Sequence, residues 1–139
     1  MKHAGFEIEI DRDRDILTLR YVGTLTFDVA QRALETCFSD PAVTASTLVL
    51  LDTTSAHVHE IDVSWLRRYQ AYKDARGYPP QLTALVVSRY EGNQLLGQLW
   101  AAMRAMKTPE SAGVFTDEQA AIDWLLERRV TPMSATMSA

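Results

Sequence analysis

Val114-Phe115-Thr116-Asp117-Glu118-Gln119-Ala120-Ala121-Ile122-Asp123-Trp124-Leu125 joins a short β-prone run directly to an amphipathic helix. Thr116 fits an N-cap, with Gln119 placed to close a capping box. Asp117 and Glu118 then occupy the first turn, where negative charge meets the positive end of the helix dipole. A strand passing at once into a capped helix is the closing β-α unit of an α/β domain.

The same rhythm continues upstream. Leu82 to Val87 is a continuous apolar run, and Ser88 with Glu91 has capping-box spacing before a helix carrying Leu95, Leu96, Leu99, Trp100, Met103 and Met106. Before it, a helix bearing Val63, Leu66, Tyr69 and Tyr72 ends at Gly77, a C-cap residue, and Pro79-Pro80 leads out. Thr47 to Leu51 reads as a strand covered on both faces, followed by a looser segment from Asp52 to Glu60. Thr26 caps a helix with Phe27, Ala30, Leu34, Cys37 and Phe38 at helical spacing, which Asp40-Pro41 stops. At the start, Phe6, Ile8 and Ile10 and then Leu17, Leu19 and Tyr21 alternate with polar residues across the charged connection Asp11 to Asp15. The expected order is β-β-α-β-α-β-α-β-α: a single α/β domain over residues 1–130, its mainly parallel sheet edged by an antiparallel N-terminal β-hairpin. The segment 131–139 is small, polar and unpatterned, and is expected to be a disordered tail.

A chain of 139 residues suffices for one domain burying roughly two-thirds of its unfolded surface. With 47% hydrophobic residues, 23% charged and a net charge of −4, it has a globular composition and no general attraction for nucleic acid or anionic membrane. Arg67-Arg68 and Arg128-Arg129 are read as solvated helix faces. No apolar run approaches the ~20 residues that span a bilayer, and the N-terminus lacks a signal-peptide core, so a cytoplasmic location without membrane insertion is expected. Cys37, the single cysteine, excludes an internal disulfide and falls on an apolar helix face as a buried, inert thiol.

Gly23-Thr24-Leu25-Thr26, the strand Thr47-Leu48-Val49-Leu50-Leu51-Asp52, and the closing set Val114, Phe115, Ala121, Trp124 and Leu125 resemble, in that order, the SpoIIAA-like family of small bacterial proteins. These have the STAS-like fold of anti-sigma-factor antagonists, and the likeness spans residues 6–127. It implies a regulatory or protein-interaction module, commonly without enzymatic activity; in the wider superfamily the CRAL-TRIO type carries lipids. Relatives are switched by phosphorylation of a serine at the start of the second helix. Here that place reads Asp62-Val63-Ser64-Trp65, making Ser64 the candidate phosphoacceptor, although Trp65 stands where the family has glycine. From the residues alone, Asp62 or Ser64 is a helix cap.

Other constellations are sparse. His57-Val58-His59-Glu60 is the only cluster resembling metal ligands, with Asp62 nearby; two histidines in a loop are usually just loop residues, and His57, His59 and Glu60 are weak metal candidates. No nucleophile elbow or phosphate loop occurs, and Gly92 and Gly97 sit among helix formers, so no catalytic residue or cofactor is expected. The stripe from Leu95 to Met106 is read first as core. Trp65, Tyr69, Trp100 and Met103 exceed what one buried helix face needs, and so are candidates for an interface or ligand surface, with Asp52, His57, His59 and Asp62 near the carboxyl end of the strand before them. Three functions follow: a non-catalytic regulatory module binding a protein partner or itself as a homodimer; a carrier or sensor of a small apolar, lipid-like ligand; and a metal-dependent enzyme using His57 and His59.

Overall fold

The computed structural model describes residues 1–137, and the side chains of residues 1–129. The expected tail, 131–139, lies outside the described side chains, and its last residues, Ser138 and Ala139, lie outside the described residues altogether. The elements are β1 (Lys2–His3), β2 (Phe6–Asp11), β3 (Ile16–Thr24), α1 (Phe27–Phe38), β4 (Leu48–His57), α2 (Val63–Arg76), β5 (Thr83–Val86), α3 (Glu91–Ala105), β6 (Ala112–Phe115) and α4 (Glu118–Met137). This is the expected order with one addition, the short β1, which pairs antiparallel with β2 across the turn at Gly5. The sheet runs β1-β2-β3-β4-β5-β6, antiparallel as far as β3 and parallel from there.

Sequential order has a consequence for layering. Each parallel step moves the chain the same way along the sheet, so right-handed crossovers put α1, α2 and α3 on one face. The buried clusters agree. Leu17, Leu19 and Tyr21 of β3 pack with Ala30, Ala33 and Cys37 of α1, and with Trp65 and Tyr69 of α2. On the opposite face Leu48, Leu50, Ala84 and Val86 pack against Ala121 and Leu125 of α4. Along β4, Val49 and Leu51 therefore serve one layer, and Leu48, Leu50 and Asp52 the other.

Some local expectations shift. β4 does not end at Leu51: it stays paired with β3 as far as Thr24↔His57, past the end of β5 at Asp52↔Val86. The polar stretch from Asp52 to His57 is thus strand, without apolar alternation because it outruns the covered part of the sheet. The α4 cap is Asp117, whose Oδ2 accepts from the Ala120 N–H (2.8 Å), while Gln119 turns to Asp123 instead of closing a box with Thr116. The Ser88–Glu91 box is likewise absent: α3 begins after Tyr90 with no side-chain cap, and the Ser88 hydroxyl accepts from Asn93. Thr26 does cap α1 and Gly77 ends α2 in the left-handed region at φ 70°. Arg128 and Arg129 are not merely solvated, since they donate to the carbonyls of Glu110, Arg14 and Asp15.

Candidate ligand cavity

The two helices that roof the sheet beside α1 bury little of themselves. Leu66 is the only fully buried residue of α2, and α3 has Gly97 and Arg104. Gly97 lets α3 approach the sheet, since a Cβ there would meet Val114, Val87 and Leu85 at 3.1–3.4 Å. Leu95 and Met106, expected in the core, are 58% and 85% exposed because they lie on the outer side of α3.

An aromatic row holds α2 to α1. Trp65 stacks on Tyr69 (ring centroids 5.4 Å) and meets Phe27 of α1 edge-on at 5.5 Å. Trp65, Tyr69 and Trp100 line an apolar cavity of about 70 Å³ between the helices and the sheet, whose floor includes Tyr21, Leu51 and Leu85. Met103 lies in the groove of about 440 Å³ between α2 and α3, which shares Tyr69 and Trp100 with the cavity.

Toward the ends of the parallel strands the cavity meets an outer hollow of about 740 Å³, with Val58, Ile61, Asn93 and Leu96 common to both. His57 and His59 stand exposed on this hollow's rim. His59 lies 3.9 Å from Glu60, and among the described residues no group of three or more His, Cys, Asp or Glu side chains is close enough to share a metal ion.

Asp52 is not part of the cavity. It faces the α4 side, where its carboxylate receives Arg20 (2.6 Å) and the backbone N–H and hydroxyl of Thr54 (2.9 and 2.7 Å). Arg20 also reaches Glu118 (2.7 Å), so Asp52 helps anchor the start of α4. Asp62 is the N-cap of α2, its Oδ1 accepting from the Trp65 N–H at 2.8 Å. Ser64 is exposed on the first turn.

Polar groups within the apolar lining stand out. The indole N–H of Trp65 is buried without a hydrogen-bond partner among the described residues, and the hydroxyl of Tyr21, a residue only 3% exposed, has only the Tyr69 hydroxyl near it, outside good hydrogen-bond geometry. Each such group costs about 1–3 kcal/mol if nothing ever meets it. Burial holds the Tyr21 phenol well above its ordinary pKa and pushes Tyr69 up to about 12, so both stay neutral donors. Cys37 is buried as expected, its thiol pushed up to about 12 by desolvation, which keeps it inert at neutral pH.

A smaller inner pocket of about 40 Å³ continues from the cavity, with Leu51, Tyr69 and Trp100 forming part of both walls. Lys73 and Arg104 line it. Neither residue is singled out by a motif. The available signal is positional: Lys73 follows Trp65 and Tyr69 at successive i+4 steps, as Arg104 follows Leu96 and Trp100, so both cations fall on apolar helix stripes.

No helix among the described residues is long and apolar enough to cross a membrane. No protein-family model matches the chain, and no curated protein matches it significantly. Among solved structures it is similar to an uncharacterised protein of the DUF3478 family with a SpoIIAA-like fold from Shewanella loihica PV-4. The TM-score is 0.58 and the identity 21%, over 87% of this chain and 94% of that one. With the strand order above, this likeness shows the fold of the chain to be SpoIIAA-like.

Proposed function

We propose that the chain is a non-catalytic binding module, a carrier or sensor that holds a small apolar ligand beneath α2 and α3. The observation that carries this reading is the unpartnered indole donor of Trp65, Nε1, which shares the lining of an otherwise apolar cavity with the buried hydroxyls of Tyr21 and Tyr69. Ligand sites are built this way, with apolar walls for affinity and a few placed polar groups for orientation. The outer hollow gives the cavity an approach from solvent.

Native mass spectrometry of the protein purified from its own host is the test. The expected result is a bound small molecule that organic extraction removes, after which 1-hexanol changes the fluorescence of Trp65 and Trp100. Val58→Trp, which fills the junction between hollow and cavity, should abolish both signals. A ligand-free spectrum together with no response to 1-hexanol would overturn the proposal.

A second reading, the regulatory or protein-interaction module, rests on different residues. Tyr90 (79% exposed) and Leu95 on the wall of the outer hollow, and Met106 in the groove between α2 and α3, present apolar surface on and beside α3. Exposed Ser64, at the positive end of the α2 dipole, is where a phosphate would be favourably placed to switch such a module. Homodimers in the same spectra, dissociated by Leu95→Asp, are the outcome that favours this reading.

A further inference from the structure

Lys73 is a half-buried cation among apolar neighbours. It lies on the inner side of α2, facing Tyr69, with its Nζ 5.6 Å from that ring's centroid. Its pocket is lined by Leu19 of β3, Val49 and Leu51 of β4, Cys37 of α1, and Trp100 and Arg104 of α3. Among the described residues Lys73 has neither a hydrogen-bond nor an ion-pair partner.

The neighbouring charges make this worse rather than better. Arg104 is buried, and it spends its donors on neutral acceptors: Ser111 Oγ (3.2 Å), Thr83 Oγ1 (2.9 Å) and the carbonyl of Gln81. Its hydrogen bonds are satisfied and its charge is not. The nearest acid on the same helix, Asp74, turns outward to Lys107 and Gln70. On α1, Glu35 is engaged by the Tyr72 hydroxyl (3.0 Å) and by Arg76. The titratable groups around Lys73 are therefore Arg104, Asp74, Tyr69 and the Cys37 thiol, and Asp74, the single anion among them, is committed elsewhere. Desolvation, then Arg104, bring the Lys73 ammonium down to about 8.

Buried charges are normally paired, because an isolated one costs several kcal/mol. An anion is what this pocket lacks. We infer that the inner pocket is the head-group site for a small carboxylic acid, the carboxylate meeting Lys73 beside Arg104 and the apolar tail lying in the cavity toward the outer hollow. This rests on the proposed function and adds the chemical class of the ligand. Cavity and pocket are each smaller than the roughly 150 Å³ cavity that accommodates benzene, so they suit a slender unbranched chain whose far end reaches into the outer hollow of about 740 Å³. A compact carboxylate suits the pocket better than a phosphate with its added oxygen shell.

Matched probes test it. Hexanoate and 1-hexanol share a tail and differ in head group, and their binding is read by tryptophan fluorescence or calorimetry. At pH 7 hexanoate is expected to bind at least tenfold more tightly than 1-hexanol. Its advantage should shrink as pH rises above about 8 and the ammonium loses its proton. Lys73→Met and Lys73→Gln should level the two probes while keeping affinity for the alcohol. Equal or tighter binding of 1-hexanol by the parent protein at pH 7 overturns the inference and leaves the cavity reading intact. So does a hexanoate preference that survives in folded Lys73 variants or is flat from pH 7 to 10. Binding of neither probe removes the cavity reading, and the head-group site with it.

Discussion

At the scale of single residues, Lys73 makes a claim about stability as well as binding. A side chain placed for the fold's benefit stabilises it; a half-buried ammonium with no anion beside it does the reverse. Lys73→Met should therefore raise stability at pH 7 by about 1 kcal/mol in urea unfolding, the usual direction when a partly desolvated charge gives way to an apolar group of similar length. The pH dependence has a defined sign. In the unfolded chain Lys73 holds its proton up to its ordinary pKa of 10.5, whereas in the folded chain it releases it near 8. Between these values unfolding takes up a proton, so its contribution makes the folded chain more stable as pH rises. Buried Cys37 and the buried tyrosines act oppositely at high pH, so the difference between parent and variant isolates Lys73: the variant's advantage should narrow from pH 8 upward. A variant less stable than the parent at pH 7 would show that the ammonium is paired after all. Residues of this kind were hard to read from the sequence. Thr26, Asp62 and Gly77 declare their roles because a cap is completed within a few residues. Asp52, expected near the ligand, belongs with Arg20 and Glu118, partners distant in sequence that only the folded sheet assembles.

At the scale of elements, periodicity located every helix and all strands except β1, which has too few residues to show a period. It failed at borders where two local solutions compete. Thr116 and Asp117 are adjacent N-cap residues at the start of α4, and the acceptor used is the aspartate. Asp117→Ala should accordingly cost about 1 kcal/mol in chemical unfolding, whereas Thr116→Ala and Ser88→Ala should each stay within roughly 0.5 kcal/mol of the parent. A loss at Thr116 comparable with that at Asp117 would restore the capping box. The stripe of α3 misled for a related reason. Leu95, Leu96, Leu99, Trp100, Met103 and Met106 spread over more of the helix circumference than one face can bury, and spacing alone does not say which are outward. Gly97 decides it: the side without a side chain is the one pressed to the sheet, which turns Leu95 and Met106 to solvent.

At the scale of the molecule, the sequential strand order divides the labour between the two faces. One face holds a single helix, α4, tied at its start by Glu118 to Arg20 and packed through fully buried Ala121 and Leu125. The other carries α1, α2 and α3, and its cavities lie where α2 and α3 roof the sheet. Because the parallel strands never reverse their order, the sheet offers no switch point, and the outer hollow beyond the ends of β4 and β5 leads instead into the layer, beneath the helices with the least buried surface. Local opening should follow that asymmetry, since few buried apolar contacts mean a low free energy of local unfolding. In native-state hydrogen exchange the amides of α2 and α3 should exchange before those of α1, β4 and the described first turns of α4. Hexanoate at saturation should slow α2 and α3 selectively, because a ligand bound only to the closed form stabilises it by mass action. Uniform exchange across all helices, or protection that spreads equally to α4, would mean that the roof does not open independently, and a ligand would then need another way in.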